Sequence, residues 1–183
     1  MCTWPEGADC PSIPLPYATE SMHGFEYELA GLLLAGGMKA ESDRLVHAIR
    51  DRYNGENRNP WNEVECGNNY ARSMASFALL PLSAGFVFDL PHFKIGFRPR
   101  VLPIRTIWNT DPAWGTVDCT ETGCEIRIIE GAITLTTIAV PHGVTVTAFE
   151  MDGHPVPYTQ TDSEIRFDRT VARREMTLTY QSR

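Results

Sequence analysis

Positive charge is what the chain most conspicuously lacks. Sixteen Lys and Arg stand against 23 Asp and Glu, leaving a net charge of −7 over 183 residues. Nucleic-acid binding depends on counterion release by a basic face, and docking on an anionic leaflet depends on basic clusters, so neither partner is expected. A long apolar run is missing too. The longest, residues 29–35, falls far short of the ~20 residues that cross a bilayer, so no membrane span is expected. Met1-Cys2-Thr3-Trp4-Pro5-Glu6 offers neither a basic start nor an apolar stretch, and is not expected to act as a signal peptide. The location expected from the sequence is cytoplasmic, unless a longer parent carries a leader upstream.

Metal-binding spacings are also absent. The five cysteines, Cys2, Cys10, Cys66, Cys119 and Cys124, form no Cys-x-x-Cys pair and have no His-x-x-x-His partner. No zinc site, and no metal or other cofactor, is expected. Cys119 and Cys124 flank Thr120-Glu121-Thr122-Gly123, a hairpin-turn sequence that would let them meet across two strands. In a cytoplasmic protein they read instead as reduced thiols.

What is present is enough to fold. Hydrophobic residues make up 43% of the chain and charged ones 21%, ordinary for a globular protein, so disorder is excluded over most of the length. Residues 1–20 hold Pro5, Pro11, Pro14 and Pro16, which rule out helix and central strand and predict an extended lead-in pinned by Ile13, Leu15 and Tyr17. From residue 21 the apolar period becomes helical. Met22, Phe25, Leu29, Leu32 and Leu33 recur along a first helix that Gly36-Gly37 should stop, and Ala30 and Gly31 thin it for close packing. A second helix is predicted over 40–53, with Leu45, Val46 and Ile49 on one face, and a third over 69–80, with Tyr70, Met74, Phe77 and Leu80.

After Gly85 the period drops to that of strands. Phe86, Phe88 and Leu90 alternate, followed by Ile95 and Phe97, then Ile104 and Ile107. Further runs lie at 125–129, 132–140, 144–149, 164–167 and 176–180, separated by Thr122-Gly123, Glu130-Gly131 and Asp152-Gly153. About seven or eight short strands at this spacing predict a β-sandwich-like domain. The organisation expected is therefore α+β: a lead-in over 1–20, a helical segment over 21–84 and an all-β domain over 85–183. Trp4 and Trp114 read as packing residues, and Asp152-Gly153 as a hairpin turn.

Between the second and third helices lies a stretch of about fifteen residues with turn chemistry and no helical period, and loops that long in a compact domain are usually functional or disordered. It contains Trp61, Glu63 and Glu65, and Arg72 follows at the start of the third helix. Glu63 and Glu65 are two apart, so extended backbone points both carboxylates the same way. Carboxylates accept hydrogen bonds from sugar hydroxyls, a guanidinium donates several, and an indole stacks on a pyranose face. The same residues would also make a salt-bridged anchor for the third helix. His23, with Glu26 on the same helix, could line a cleft or serve as a structural hydrogen-bonder.

Arg58-Asn59-Pro60-Trp61-Asn62-Glu63-Val64-Glu65-Cys66-Gly67, followed by Tyr70-Ala71-Arg72-Ser73-Met74-Ala75-Ser76, resembles a signature near the end of the catalytic domain in glycoside hydrolase family 116-like proteins. These include bacterial β-glucosidases and the non-lysosomal glucosylceramidase. Met22-His23-Gly24-Phe25-Glu26-Tyr27-Glu28-Leu29-Ala30 resembles the helix before it, and Phe93-Lys94-Ile95-Gly96-Phe97-Arg98-Pro99 with Trp114-Gly115 resembles the start of a β extension. The resemblance covers roughly residues 2–115. It implies the last three helices of an (α/α)6-barrel catalytic domain followed by a β-sandwich-like domain, and retaining hydrolysis of a β-linked glucose or similar sugar. That reaction uses two carboxyl groups about 5–5.5 Å apart, a nucleophile and a general acid/base. Neither has a matching position here, so no catalytic residue is assigned. A glutamate and an arginine nine positions apart hold the sugar's outer hydroxyls in the family, and Glu63 and Arg72 have that spacing. Glu65, Trp61 and His23 complete the expected sugar-binding set, Glu65 being an acid in which this sequence departs from better-known members.

The function the resemblance implies is that of a C-terminal fragment of a retaining, β-glucosidase-like glycoside hydrolase, contributing sugar-binding residues without the nucleophile or acid/base, and two alternatives accompany that reading. One is a free-standing carbohydrate-binding β domain with a helical cap. The other makes Glu63 and Glu65 the catalytic pair themselves. Their Cα separation would allow this, but both would approach the sugar from one side. The expected partners are a β-glucoside-like carbohydrate and either the N-terminal part of a parent enzyme or a second copy of the chain, since Phe25, Leu29, Leu32 and Leu45 would be left uncovered.

Overall fold

The computed structural model describes residues 7–9, 23–52, 54–57 and 73–182, and divides into two compact units, Met1–Leu79 and Leu80–Arg183. The protein is α+β, with helices first and a two-sheet β structure after them.

In the first unit α1 spans His23–Ala35 and α2 spans Lys39–Asp51. Gly36-Gly37 ends α1 as the sequence predicts. Gly37 N–H donates to Leu34 O at 3.0 Å and Met38 N–H to Leu33 O at 2.9 Å, the paired bonds of a Schellman cap. The two helices meet through small residues. Ala30 and Gly31 are buried on α1, and Ser42 on α2 donates its hydroxyl to Ala30 O at 2.8 Å.

The face that α1 buries is not the one its bulkiest apolar residues mark. His23, Tyr27, Ala30, Gly31 and Leu34 are buried, while Phe25, Leu29 and Leu32 are 60, 50 and 64% exposed. A helix apolar on all sides has no single stripe for periodicity to find, so the bulkiest residues identify the wrong side. On α2 the expected face holds more closely, with Ile49 buried and Leu45 and Val46 half-buried.

The third predicted helix is corrected in its described part. Ser73–Ala78 form a 3-10 turn that packs against α1, and the α-helix, α3, comes only at Leu79–Ala84. Pro81 explains the restart. Inside a continuous helix it would clash with the carbonyl four residues earlier, whereas in a first turn its missing N–H would have no intrahelical acceptor anyway.

In the second unit β1 (Phe86–Asp89), β2 (Lys94–Phe97), β6 (Ile133–Ala139), β10 (Glu164–Ala172) and β9 (Thr159–Gln160) make a five-stranded sheet in that order. Its β2–β6 pairing is parallel and the others are antiparallel. A six-stranded antiparallel sheet runs β3 (Ile104–Asn109), β4 (Ala113–Cys119), β5 (Gly123–Gly131), β11 (Glu175–Ser182), β7 (Val144–Met151) and β8 (His154–Pro155). Both sheets feed one core. Ile95, Leu135, Ile138 and Ile165 come from the first, and Trp108, Val117, Ile126, Phe149, Met176 and Leu178 from the second. This is the β-sandwich-like architecture that the strand spacing predicts.

One long strand has no counterpart among the predicted runs. β4 turns Ala113, Gly115, Val117 and Cys119 inward, mostly small residues that hydrophobic alternation does not register. Gly115 is there of necessity, since a Cβ at that position would lie 1.8 Å from Arg127 O, beside the bulge between Trp114 and Gly115. Trp114 on the opposite face is 42% exposed and donates its indole N–H to Glu130 at 3.3 Å, so it is not the packing residue expected. Cys119 and Cys124 are directly opposed across β4 and β5 and are joined as a disulfide, which corrects the reading as free thiols.

Candidate functional site

Trp61, Glu63, Glu65 and Arg72, the core of the expected sugar-binding set, lie outside the described residues. The structure describes what stands on either side of their loop. On the entering side, α2 ends at Asp51-Arg52, and Asn54 folds the chain back through an Asx turn. Its side-chain oxygen accepts Glu56 N–H at 3.0 Å and Asn57 N–H at 2.9 Å, while Asn57 Nδ2 donates to Asp51 O at 2.9 Å. On the leaving side, the chain is again described from Ser73, in the 3-10 turn against α1.

Arg52, the residue after α2, forms an ion pair with Glu26 on the first turn of α1. His23, the remaining expected site residue, opens the same helix. It is 1% exposed, and its Nε2 lies 3.7 Å from the same Glu26 carboxylate oxygen. Glu26 therefore stands between an imidazole and a guanidinium, with its own side chain only 18% exposed. Such a cluster fixes the α1 N-terminus to the α2 C-terminus at the point where the loop departs. This His–Glu–Arg set, of which only His23 is fully buried, can orient a neighbouring polar group, and it offers no nucleophile with a base beside it. Sequence spacing gives no hint of Arg52, which is 26 positions from its partner.

The second unit contains charged arrangements that sequence reading does not single out. Lys94 on β2 and Arg166 on β10 both reach Glu164, the latter at 3.3 Å. The hydrogen bond from Lys94 holds the Glu164 carboxyl below the usual carboxylate range against the opposing pull of burial. Asp152 does more than turn a hairpin. Burial pushes its carboxyl up, but N–H groups from Glu175, Arg174 and Arg173, at 3.0, 2.7 and 3.0 Å, bring it below its ordinary value. It thereby clamps the β10–β11 turn from the β7–β8 turn.

Among the described residues no group of three or more His, Cys, Asp or Glu side chains has the arrangement to hold a metal ion, and no helix is long and apolar enough to cross a membrane. Compared with models of known families and with curated proteins, the chain matches none.

Proposed function

We propose that this chain supplies the C-terminal wall of a retaining, β-glucosidase-like glycoside hydrolase, with the nucleophile and the acid/base lying elsewhere in the enzyme. The observation that carries this reading is the double-sided α1. One side packs on α2, while Phe25, Leu29 and Leu32 on the other remain exposed, as expected of a barrel helix that has a neighbour on each side. Met74 and Phe77, 71 and 67% exposed in the 3-10 turn, extend the same character.

In this reading Glu63 and Arg72, with Glu65 and Trp61, hold the hydroxyls and one face of a β-glucoside-like sugar. The His23–Glu26–Arg52 cluster sets the point from which their loop springs. The resemblance of residues 58–76 to the family 116-like signature supports the assignment, and α1 and α2 belong to an (α/α)6 barrel. The Cys119–Cys124 disulfide favours maturation in an oxidising compartment over the cytoplasm.

The test is turnover and association together. The purified 183-residue chain should not hydrolyse an aryl β-glucoside, and light scattering should find it self-associated through the α1 face. Robust hydrolysis would place the catalytic carboxylates within this chain, and a clean monomer would remove the argument from uncovered helices. Either result defeats the proposal.

A further inference from the structure

An open pocket of ≈ 400 Å³ lies at the β9–β10 edge of the five-stranded sheet, lined by Pro157, Tyr158, Thr159, Arg166, Phe167 and Asp168. Its size is within the range of ligand sites, about 300–1,000 Å³. The apolar part is fixed in place. Tyr158 donates its hydroxyl to Val146 O at 2.8 Å, and both it and Phe167 pack on Phe149, at centroid distances of 6.2 and 5.0 Å. The polar part comes from a β-bulge, because the β10–β6 register shifts between Arg166 and Thr170. Thr170 Oγ1 donates to Asp168 O at 2.7 Å within that bulge. Bulges of this kind re-aim side chains and concentrate near binding sites. Thr159 is register-paired with Arg166, which puts the two side chains on the same face of the sheet edge.

Charge narrows the ligand class. Arg166 is already opposed by Glu164 at 3.3 Å, and Asp168 adds a second carboxylate. An anionic ligand would meet those acids, and a cationic one would meet the guanidinium. A purely apolar ligand would strand the charged rim. The arrangement suits a neutral ligand that presents C–H groups on one face and hydroxyls at its edge, able to donate to Asp168 and accept from Arg166 and Thr159. We infer that this pocket is a saccharide-binding site of the β unit, an inference that does not depend on the reading given to Glu63 and Arg72.

The full chain is titrated with methyl β-D-glucopyranoside, methyl β-D-galactopyranoside and methyl α-D-mannopyranoside, and backbone amide NMR shifts are followed. At least one glycoside should give saturable shifts concentrated at residues 158–159 and 166–168. Arg166→Ala and Asp168→Asn should each weaken binding about tenfold, the loss expected for a hydrogen bond to a charged group. Their melting temperatures should stay near that of the parent chain. Glu63→Gln with Arg72→Ala should leave these shifts intact, so failure here and failure of the loop assignment are separable. The inference is overturned if no glycoside moves these amides, if inorganic phosphate moves them instead, or if the Glu63/Arg72 double variant abolishes the response.

Discussion

The two units bury their apolar residues to different degrees. In the β unit, inward positions of both sheets are closed over one another, with Ile95, Val117, Ile126, Leu135, Ile165 and Met176 at or near zero exposure. Among the described residues of the helical unit, Tyr27, Ala30, Leu34 and Ile49 are buried, yet Phe25, Leu29, Leu32, Met74 and Phe77 face outward. The β unit closes a core of its own while leaving Phe88, Ile107 and Ile129 outside, whereas on α1 the bulkiest apolar residues are themselves the exposed ones. Matched truncations should expose this contrast most strongly. Ile126→Ala should cost about 2–5 kcal/mol, the usual range for emptying a closed core site. Leu32→Ala should change stability by no more than about 0.5 kcal/mol while reducing self-association. Urea unfolding and light scattering measure the two effects. A Leu32→Ala loss as large as that of Ile126→Ala would show that α1's outer face is already covered and would erase the comparison.

The next effect belongs to the β unit alone. Asp152 occupies a two-residue turn with φ of 53° at Asp152 and 81° at Gly153, the backbone of a type I′ hairpin. Its carboxylate also receives three N–H groups from the neighbouring turn. Asp152→Ala should cost about 1–3 kcal/mol, since it strands donors as well as losing a residue suited to positive φ. Asp152→Asn keeps the turn preference and one acceptor oxygen, so it should recover part of that loss. If Asn and Ala prove equally damaging, the clamp depends on charge rather than on turn conformation.

Much of this architecture is legible in the sequence, and what is not legible has physical causes. The switch from helical to strand period near Gly85 is sharp because β-branched residues and turn dipeptides crowd the second half. The Gly36-Gly37 stop and the Ala30/Gly31 contact were readable because small residues at those positions have few other uses. Four features are not readable. β4 hides because close backbone approach forces small residues inward, and the buried side of α1 hides because both sides are apolar. The Asp152 clamp and the Glu26–Arg52 pair hide because their partners are more than twenty positions away. For the candidate site, only His23 and the flanks of the loop can be compared with expectation. There the sequence singles out His23 and Glu26 on one helix but gives no sign of Arg52, which pairs with the same Glu26.

A smaller effect tests the helical side. Ser42→Ala removes the side-chain hydrogen bond from the middle of the α1–α2 contact, to Ala30 O. It should cost about 1 kcal/mol, since the carbonyl has its helical N–H partner to fall back on. Amide exchange in α1 should rise while β-unit protection stays level. Equal loosening of both units would mean that they unfold as one cooperative body, contrary to the division drawn above.

The smallest effect concerns the Lys94–Glu164–Arg166 group, whose carboxylate side chain is 16% exposed. The hydrogen bond from Lys94 lowers the Glu164 pKa in the folded chain, so folding favours its ionised form. That contribution is complete above the unfolded-chain value, about 4.3, and is lost as the pH falls through the lower folded value. Asp152 acts in the same direction, because its pKa is lowered as well. Stability from urea midpoints should therefore be level from neutral pH to about pH 5 and decline below it. Glu164→Gln should cost about 0.5–1 kcal/mol at neutral pH and flatten the acid decline, because the glutamine has no proton to take up. Adding Asp152→Asn should flatten the decline further. A Glu164→Gln variant that keeps the full acid slope would show that the proton uptake occurs elsewhere, and the Lys94 contact would then contribute packing rather than charge.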